Sequence, residues 1–70
     1  MSYSKEQITK VITSELRTQG ISDENSQQIA AIIAPSLMQA PRWALASSHT
    51  TDLLDAAEVF ARQAGKRYSA

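Results

Sequence analysis

The chain has 70 residues, which is enough for one small domain, and its seven Lys and Arg balance seven Asp and Glu. It contains no cysteine, which excludes a disulfide framework and cysteine-ligated metal sites. A hydrophobic content of 43% is too high for a disordered segment, and the zero net charge argues against an obligate nucleic-acid binder.

Apolar residues recur every three to four positions along the chain, which is the helical period. We therefore expect one all-α domain, a small three- to four-helix bundle with an antiparallel N-terminal helical hairpin. The first helix is predicted at residues 5–19, with Ser4 and Gln7 forming a capping box at its start. Gly20 should end it in a Schellman motif, with Ile21 folding back toward Leu16. Its buried stripe is expected to contain Ile8, Val11, Ile12 and Leu16.

The second helix is predicted at residues 23–34, with Ser22 as its N-cap. Its apolar spacing continues to Leu37, and we expect this face to be buried. Pro35 cannot donate a backbone hydrogen bond, so it should kink or break the helix. The residues assigned to the buried face are Ile29, Ile32, Ile33 and Leu37.

Two further helices are expected after Pro41. Pro41 suits the first turn of a short helix over residues 42–47. The last helix is predicted at residues 51–64 and should end at Gly65, leaving residues 66–70 as a frayed tail. Its alanines either let it pack closely inside the bundle or form a flat seam for a second copy; they are Ala56, Ala57, Ala61 and Ala64.

The ends and the apolar runs give no sign of a secretory leader or a membrane span. The polar residues after Met1 lack the apolar core of a signal peptide. The longest apolar run covers about ten residues, whereas crossing a bilayer needs about 20. We expect a cytoplasmic protein that does not insert into membranes.

The residue pattern offers no catalytic or metal site. His49 is the only histidine, and the hydroxyl and carboxyl residues around it, including Asp52, are explained by capping of the next helix. His49 and Asp52 are too few for a structural zinc site, which takes four ligands. With only two isolated glycines there is no phosphate-binding loop. We expect no enzyme activity and no cofactor.

A segment between the second and last helices carries the residues typical of protein interfaces. Met38, Pro41, Arg42 and Trp43 are the predicted partner-binding residues, since Trp, Arg and Met are enriched where proteins meet. The alternative is that Trp43 plugs the end of a small bundle.

Nucleic-acid binding is the second interpretation. The residues from Ser22 to Leu37 resemble the start of a helix-turn-helix, but Pro41 would then interrupt the recognition helix and Arg42 would be its only basic residue. A weak basic patch at the C-terminus contains Arg62, Lys66 and Arg67, which also compensate the helix dipole.

The predicted function is therefore a non-enzymatic protein–protein interaction module, acting as an adaptor, inhibitor or subunit. We expect a homodimer, a larger protein partner, or both, because so small a core leaves apolar surface uncovered. The alternative is a small nucleic-acid-binding regulator that uses the Ser22–Leu37 helix or the basic C-terminus.

Overall fold

The computed structural model describes residues 3–39 and 52–69, and the side chains of residues 3–39 and 52–67. These residues form three α-helices: α1 (Lys5–Thr18), α2 (Asp23–Gln39) and α3 (Leu53–Ser69). The all-α prediction is confirmed. The short helix predicted at residues 42–47 lies outside the described residues.

Local hydrogen bonds define both ends of α1. The Ser4 hydroxyl accepts from the backbone N–H of Gln7 at 3.2 Å, and the Gln7 side chain accepts from the Ser4 N–H at 2.9 Å. This is the predicted capping box.

The C-terminal end of α1 is a Schellman motif, as predicted. Gly20 has φ +88°, a left-handed conformation that favours glycine. The N–H of Gly20 donates to the Arg17 carbonyl at 2.9 Å, and that of Ile21 donates to the Leu16 carbonyl at 3.2 Å. Across this turn, the Arg17 guanidinium pairs with the Asp23 carboxylate at 2.6 Å. Four residues therefore connect α1 to α2, and backbone hydrogen bonds from Gly20 and Ile21 close the turn at the end of α1.

Ser22 begins α2 as predicted, since its hydroxyl accepts from the N–H of Asn25 at 3.3 Å. The helix does not break at Pro35 but continues to Gln39, five residues beyond the predicted end. Pro35 leaves the carbonyl of Ala31 without its helical donor, but Ala31 is exposed, so water can take that place. The turn after Pro35 carries Leu37, whose burial favours continuation of the helix.

Asp52 is the residue that begins α3, because its side chain accepts from the N–H of Asp55 at 3.2 Å. The helix then runs through Gly65 to Ser69, so the predicted end at residue 64 is wrong and residues 66–69 of the predicted frayed tail are helical. Residue 70 lies outside the described residues. Gly65 is buried, and a Cβ at that position would lie 2.5 Å from the side-chain amide of Gln19. The glycine permits close approach to the end of α1 instead of ending the helix.

The core lies on α1, which contacts both other helices far more extensively than they contact each other. Ile8, Ile12 and Leu16 of the predicted stripe are completely buried, whereas Val11 is only partly buried. From α3 the core receives Ala56, Ala57 and Ala61, also completely buried. For these three alanines close packing inside the bundle is the interpretation observed, whereas Ala64 is only partly buried.

Three contacts set α3 along α1. The Tyr3 hydroxyl donates to Asp52, Arg62 pairs with Glu15, and Gly65 lies against Gln19. The order of these contacts is the same along both helices, so α3 runs in the direction of α1. The two helices are thereby held together over their whole length.

One residue of α2 that was predicted to lie in the core is exposed instead. The buried face of α2 consists of Ser26, Ile29, Ala30, Ala34 and Leu37. Ile33 is partly buried beside them, but Ile32 is 72% exposed. The prediction that Ile32 belongs to the core is wrong, because the face that meets α1 is rotated away from it.

Candidate interaction surface

The structure places one of the four predicted partner-binding residues. Met38 lies in the last turn of α2, where 41% of it is exposed. Pro41, Arg42 and Trp43 lie outside the described residues, and so does His49. Partner binding by Met38 through Trp43 therefore stays a prediction, with Met38 accessible at its start.

A groove of about 560 Å³ separates α2 from α3. Its walls are mostly apolar, and a few polar side chains stand at its edges. The apolar residues are Ile32, Ile33, Leu37, Phe60 and Ala64, and the polar ones are Ser36, Gln63 and Arg67.

The groove follows from how the helices are arranged. Both α2 and α3 are packed on α1, and their mutual contact is slight. Phe60 and Ile33 border the core without being enclosed by it. The bundle thus has an apolar cleft where a further helix would complete the packing.

The α2 side of this surface carries no charge. From Asn25 to Gln39 there is not one ionisable residue, although 20% of the chain is Asp, Glu, Lys or Arg. Several residues of this stretch are nevertheless exposed, including Ala31, Ile32 and Ser36. Depletion of charge is a property of the buried centre of protein interfaces, whereas an ordinary solvated helix face carries charges.

The C-terminal basic residues have different surroundings. Arg62 is engaged by two carboxylates, that of Glu15 at 3.2 Å and that of Glu58 at 3.0 Å. The pairing with Glu58 is the i,i+4 arrangement typical of helices. Lys66 and Arg67 are exposed, and Arg67 stands at the edge of the groove. The basic patch of Arg62, Lys66 and Arg67 stays a prediction, and within the part of the chain that the structure describes its Arg62 is held by carboxylates.

A phenol–carboxylate contact joins the starts of α1 and α3. The Tyr3 hydroxyl donates to Oδ1 of Asp52 at 2.7 Å. This hydrogen bond, followed by burial and by the charges of Asp52 and Asp55, raises the pKa of Tyr3 above its ordinary value of 10.0. The phenol is thus kept neutral and serves as a structural donor.

A second hollow, of about 640 Å³, lies between α1 and α2 and is lined by residues of polar type. Thr9, Thr13 and Gln27 line it together with the cations of Lys10 and Arg17. Because the Arg17 guanidinium already pairs with Asp23, we do not interpret this hollow as an anion-binding site.

Helical spacing predicts Ile32 and Ile33 as core residues, so it does not identify them as walls of a surface groove. Helical spacing cannot show which of Ile29 and Ile32 is buried, since both belong to plausible apolar faces of one helix. The signal that points to the surface is the stretch of 15 residues without charge between Asn25 and Gln39.

Among residues 3–39 and 52–69, no group of three or more His, Asp or Glu side chains is arranged to hold a metal ion. None of the helices in this part of the chain has the length and apolarity needed to cross a membrane. Comparison with protein-family models, curated proteins and solved structures gives no match to the chain.

Proposed function

We propose that this chain is a non-enzymatic helical protein–protein interaction module that binds through the groove between α2 and α3. The observation that carries the proposal is the exposure of Ile32, which is 72% accessible and forms part of the wall of an apolar cleft. Leaving such a side chain in water forgoes the stabilisation of about 1.5–3 kcal/mol that its burial would give. A partner that covers it gains this free energy on binding.

We further propose an orientation for the first two helices and a location in the cell. We take α1 and α2 as an antiparallel hairpin, an arrangement supported by the short connection and by the ion pair between Arg17 and Asp23 across the turn. We place the module in the cytoplasm, an environment compatible with a chain that has no cysteine.

The mode of recognition that fits the groove is a helix lying along it. An apolar cleft between two helices accepts the apolar face of a third, as in other helix-in-groove complexes. Gln63, Ser36 and Arg67 at the edges supply donors for a polar rim. The expected partner segment is therefore amphipathic and mostly uncharged where it meets α2.

Site-specific photo-crosslinking tests the proposal. A photoreactive amino acid is introduced at Ile32 in one variant and at Ser14, exposed on α1, in a matched control. Irradiation in native cells should give discrete adducts to another protein chain from position 32 and none from position 14. Equal labelling at both positions, or none at position 32, would contradict the proposal.

A further inference from the structure

We propose that the occupant of this groove is an amphipathic helix of another protein that carries an Asp or Glu at one end of its apolar face, where the carboxylate pairs with Arg67. This inference rests on the proposed function and specifies the charge of the partner segment. The observation that carries it is the position of Arg67, which is the one ionisable residue lining the groove within the described part of the chain.

Arg67 stands at one end of the groove wall that α3 provides. Phe60, Ala64 and Arg67 are spaced i, i+4 and i+7, so they share one face of the helix. At a rise of about 1.5 Å per residue this wall is about 10 Å long, which is two helical turns. The groove therefore has an apolar body that ends in a guanidinium. A partner helix that fills the apolar body brings the end of its own apolar face against Arg67.

No carboxylate pairs with Arg67 in the part of the chain that the structure describes. The ion pairs formed there engage Arg17 and Arg62 instead. Arg67 lies in the last turn of α3, where a cation interacts favourably with the helix dipole. That interaction does not occupy the five N–H donors of the guanidinium. Because Arg67 is exposed, water can take these donors until a partner binds.

Covering this end of the groove selects the charge of the occupant. A helix lying there displaces water from the guanidinium, and a charge that loses water without gaining a partner is destabilised. A carboxylate offsets this loss, since it accepts two parallel hydrogen bonds from the planar guanidinium. A Lys or Arg at the same place adds like-charge repulsion. The α2 wall has no charge, so the acidic residue is expected only at the end that meets Arg67.

Selection from a displayed library of amphipathic helical peptides tests the inference on the full chain. The library keeps an apolar stripe at i, i+3, i+4 and i+7 and randomises the residues at both ends of it. Peptides that bind the native chain should be enriched in Asp or Glu at one end of the stripe. Selection against Arg67→Glu should enrich Lys or Arg there instead.

Lys66→Glu is the matched control for this selection. It makes the same change of charge in the same helical turn, at an exposed residue that does not line the groove. The acidic preference should persist against this variant. Helicity by circular dichroism should be equal in the native chain and both variants; if Arg67→Glu loses helicity, Arg67→Gln removes the charge without reversing it and should abolish the preference.

A selected peptide gives the size of the effect. Replacing its acidic residue with Lys should raise the dissociation constant for the native chain at least about tenfold, measured by fluorescence anisotropy at low salt. The same replacement should strengthen binding to Arg67→Glu. An acidic preference that survives Arg67→Glu places the carboxylate elsewhere and overturns the inference.

The outcomes separate this inference from the proposed function. Peptides that bind the native chain but not Ile32→Glu, and that show no acidic preference, overturn the inference and leave the interaction module standing. A dimer in light scattering that Ile32→Glu dissociates assigns the groove to a second copy and has the same consequence. A library that yields no binder dependent on Ile32, or intramolecular adducts from position 32, would overturn both.

Discussion

The carboxylate of Asp52 serves two helices at once, because its Oδ1 accepts the Tyr3 hydroxyl at 2.7 Å while its Oδ2 accepts the N–H of Asp55 at 3.2 Å. Tyr3 immediately precedes the N-cap of α1, and Asp52 begins α3. The two helices therefore start from one shared polar contact. Residues 49 positions apart are joined there, so the hydrogen bond is a tertiary one.

This contact predicts a pH dependence of stability. The pKa of Tyr3 is raised in the folded state, so the folded state favours the neutral phenol. Its contribution is complete below the unfolded value near 10.0 and is lost as the pH rises through the higher folded pKa. In a Tyr68→Phe variant, where Tyr3 is the remaining tyrosine, ultraviolet titration should give a higher midpoint in buffer than in concentrated urea.

Asp52→Asn provides the matched control for that titration. Asparagine is an equally good N-cap, but it removes the negative charge beside the phenol. The folded midpoint should move back toward 10.0, since part of the shift comes from the charge of Asp52. An unchanged midpoint in this variant would show that the carboxylate does not govern the titration of Tyr3.

Gly20 is expected to resist substitution. Its φ of +88° is costly for any residue with a Cβ, by about 1–2 kcal/mol. Gly20→Ala should lower the free energy of unfolding by about that amount in urea denaturation, and Gly20→Asn should lower it less because asparagine tolerates this conformation. Since nothing lies within 4 Å of an added Cβ, a loss in Gly20→Ala reports the backbone and not a clash.

Gly65 should respond differently, because its effect depends on Gln19. Alanine is favoured over glycine inside a helix by about 1 kcal/mol, but here its Cβ meets the Gln19 amide at 2.5 Å. Gly65→Ala should therefore stabilise the protein more in a Gln19→Ala background than in the native one. A double-mutant cycle by urea denaturation measures this coupling. Strictly additive effects would mean that the two residues do not constrain each other.

Two isoleucines of α2 should differ sharply under the same substitution. Ile29 is 7% exposed and Ile32 is 72% exposed, three residues apart. Ile29→Ala should cost about 2–5 kcal/mol in unfolding free energy, whereas Ile32→Ala should stay within about 0.5 kcal/mol. The measurement is made at a concentration where the chain is monomeric. If Ile29→Ala fails to fold, Ile29→Val and Ile32→Val give the same comparison on a smaller scale.

Features that depend on neighbouring residues were predictable from the sequence. The capping box of Ser4, the Schellman turn at Gly20 and the cap at Ser22 are closed by hydrogen bonds between residues no more than five positions apart. Such contacts involve only neighbouring residues, so the local sequence is enough to predict them.

Features that depend on packing between distant parts of the chain were not predictable from the sequence. Gly65 has the local character of a helix stop, but α3 continues because the glycine lies against Gln19 on another helix. Pro35 has the local character of a helix breaker, but burial of Leu37 carries α2 past it. The exposure of Ile32 follows from which face of α2 meets α1, and helical periodicity does not specify that face.

The central position of α1 has a kinetic consequence. Its turn to α2 is closed by hydrogen bonds between residues up to five apart, such as that from Ile21 to Leu16, whereas its polar contacts with α3 join residues 47 and 49 apart. Nearby contacts close smaller loops, so the first two helices are expected to associate before the third arrives. The flank of α1 that α3 covers is therefore expected to lose its contact with water last.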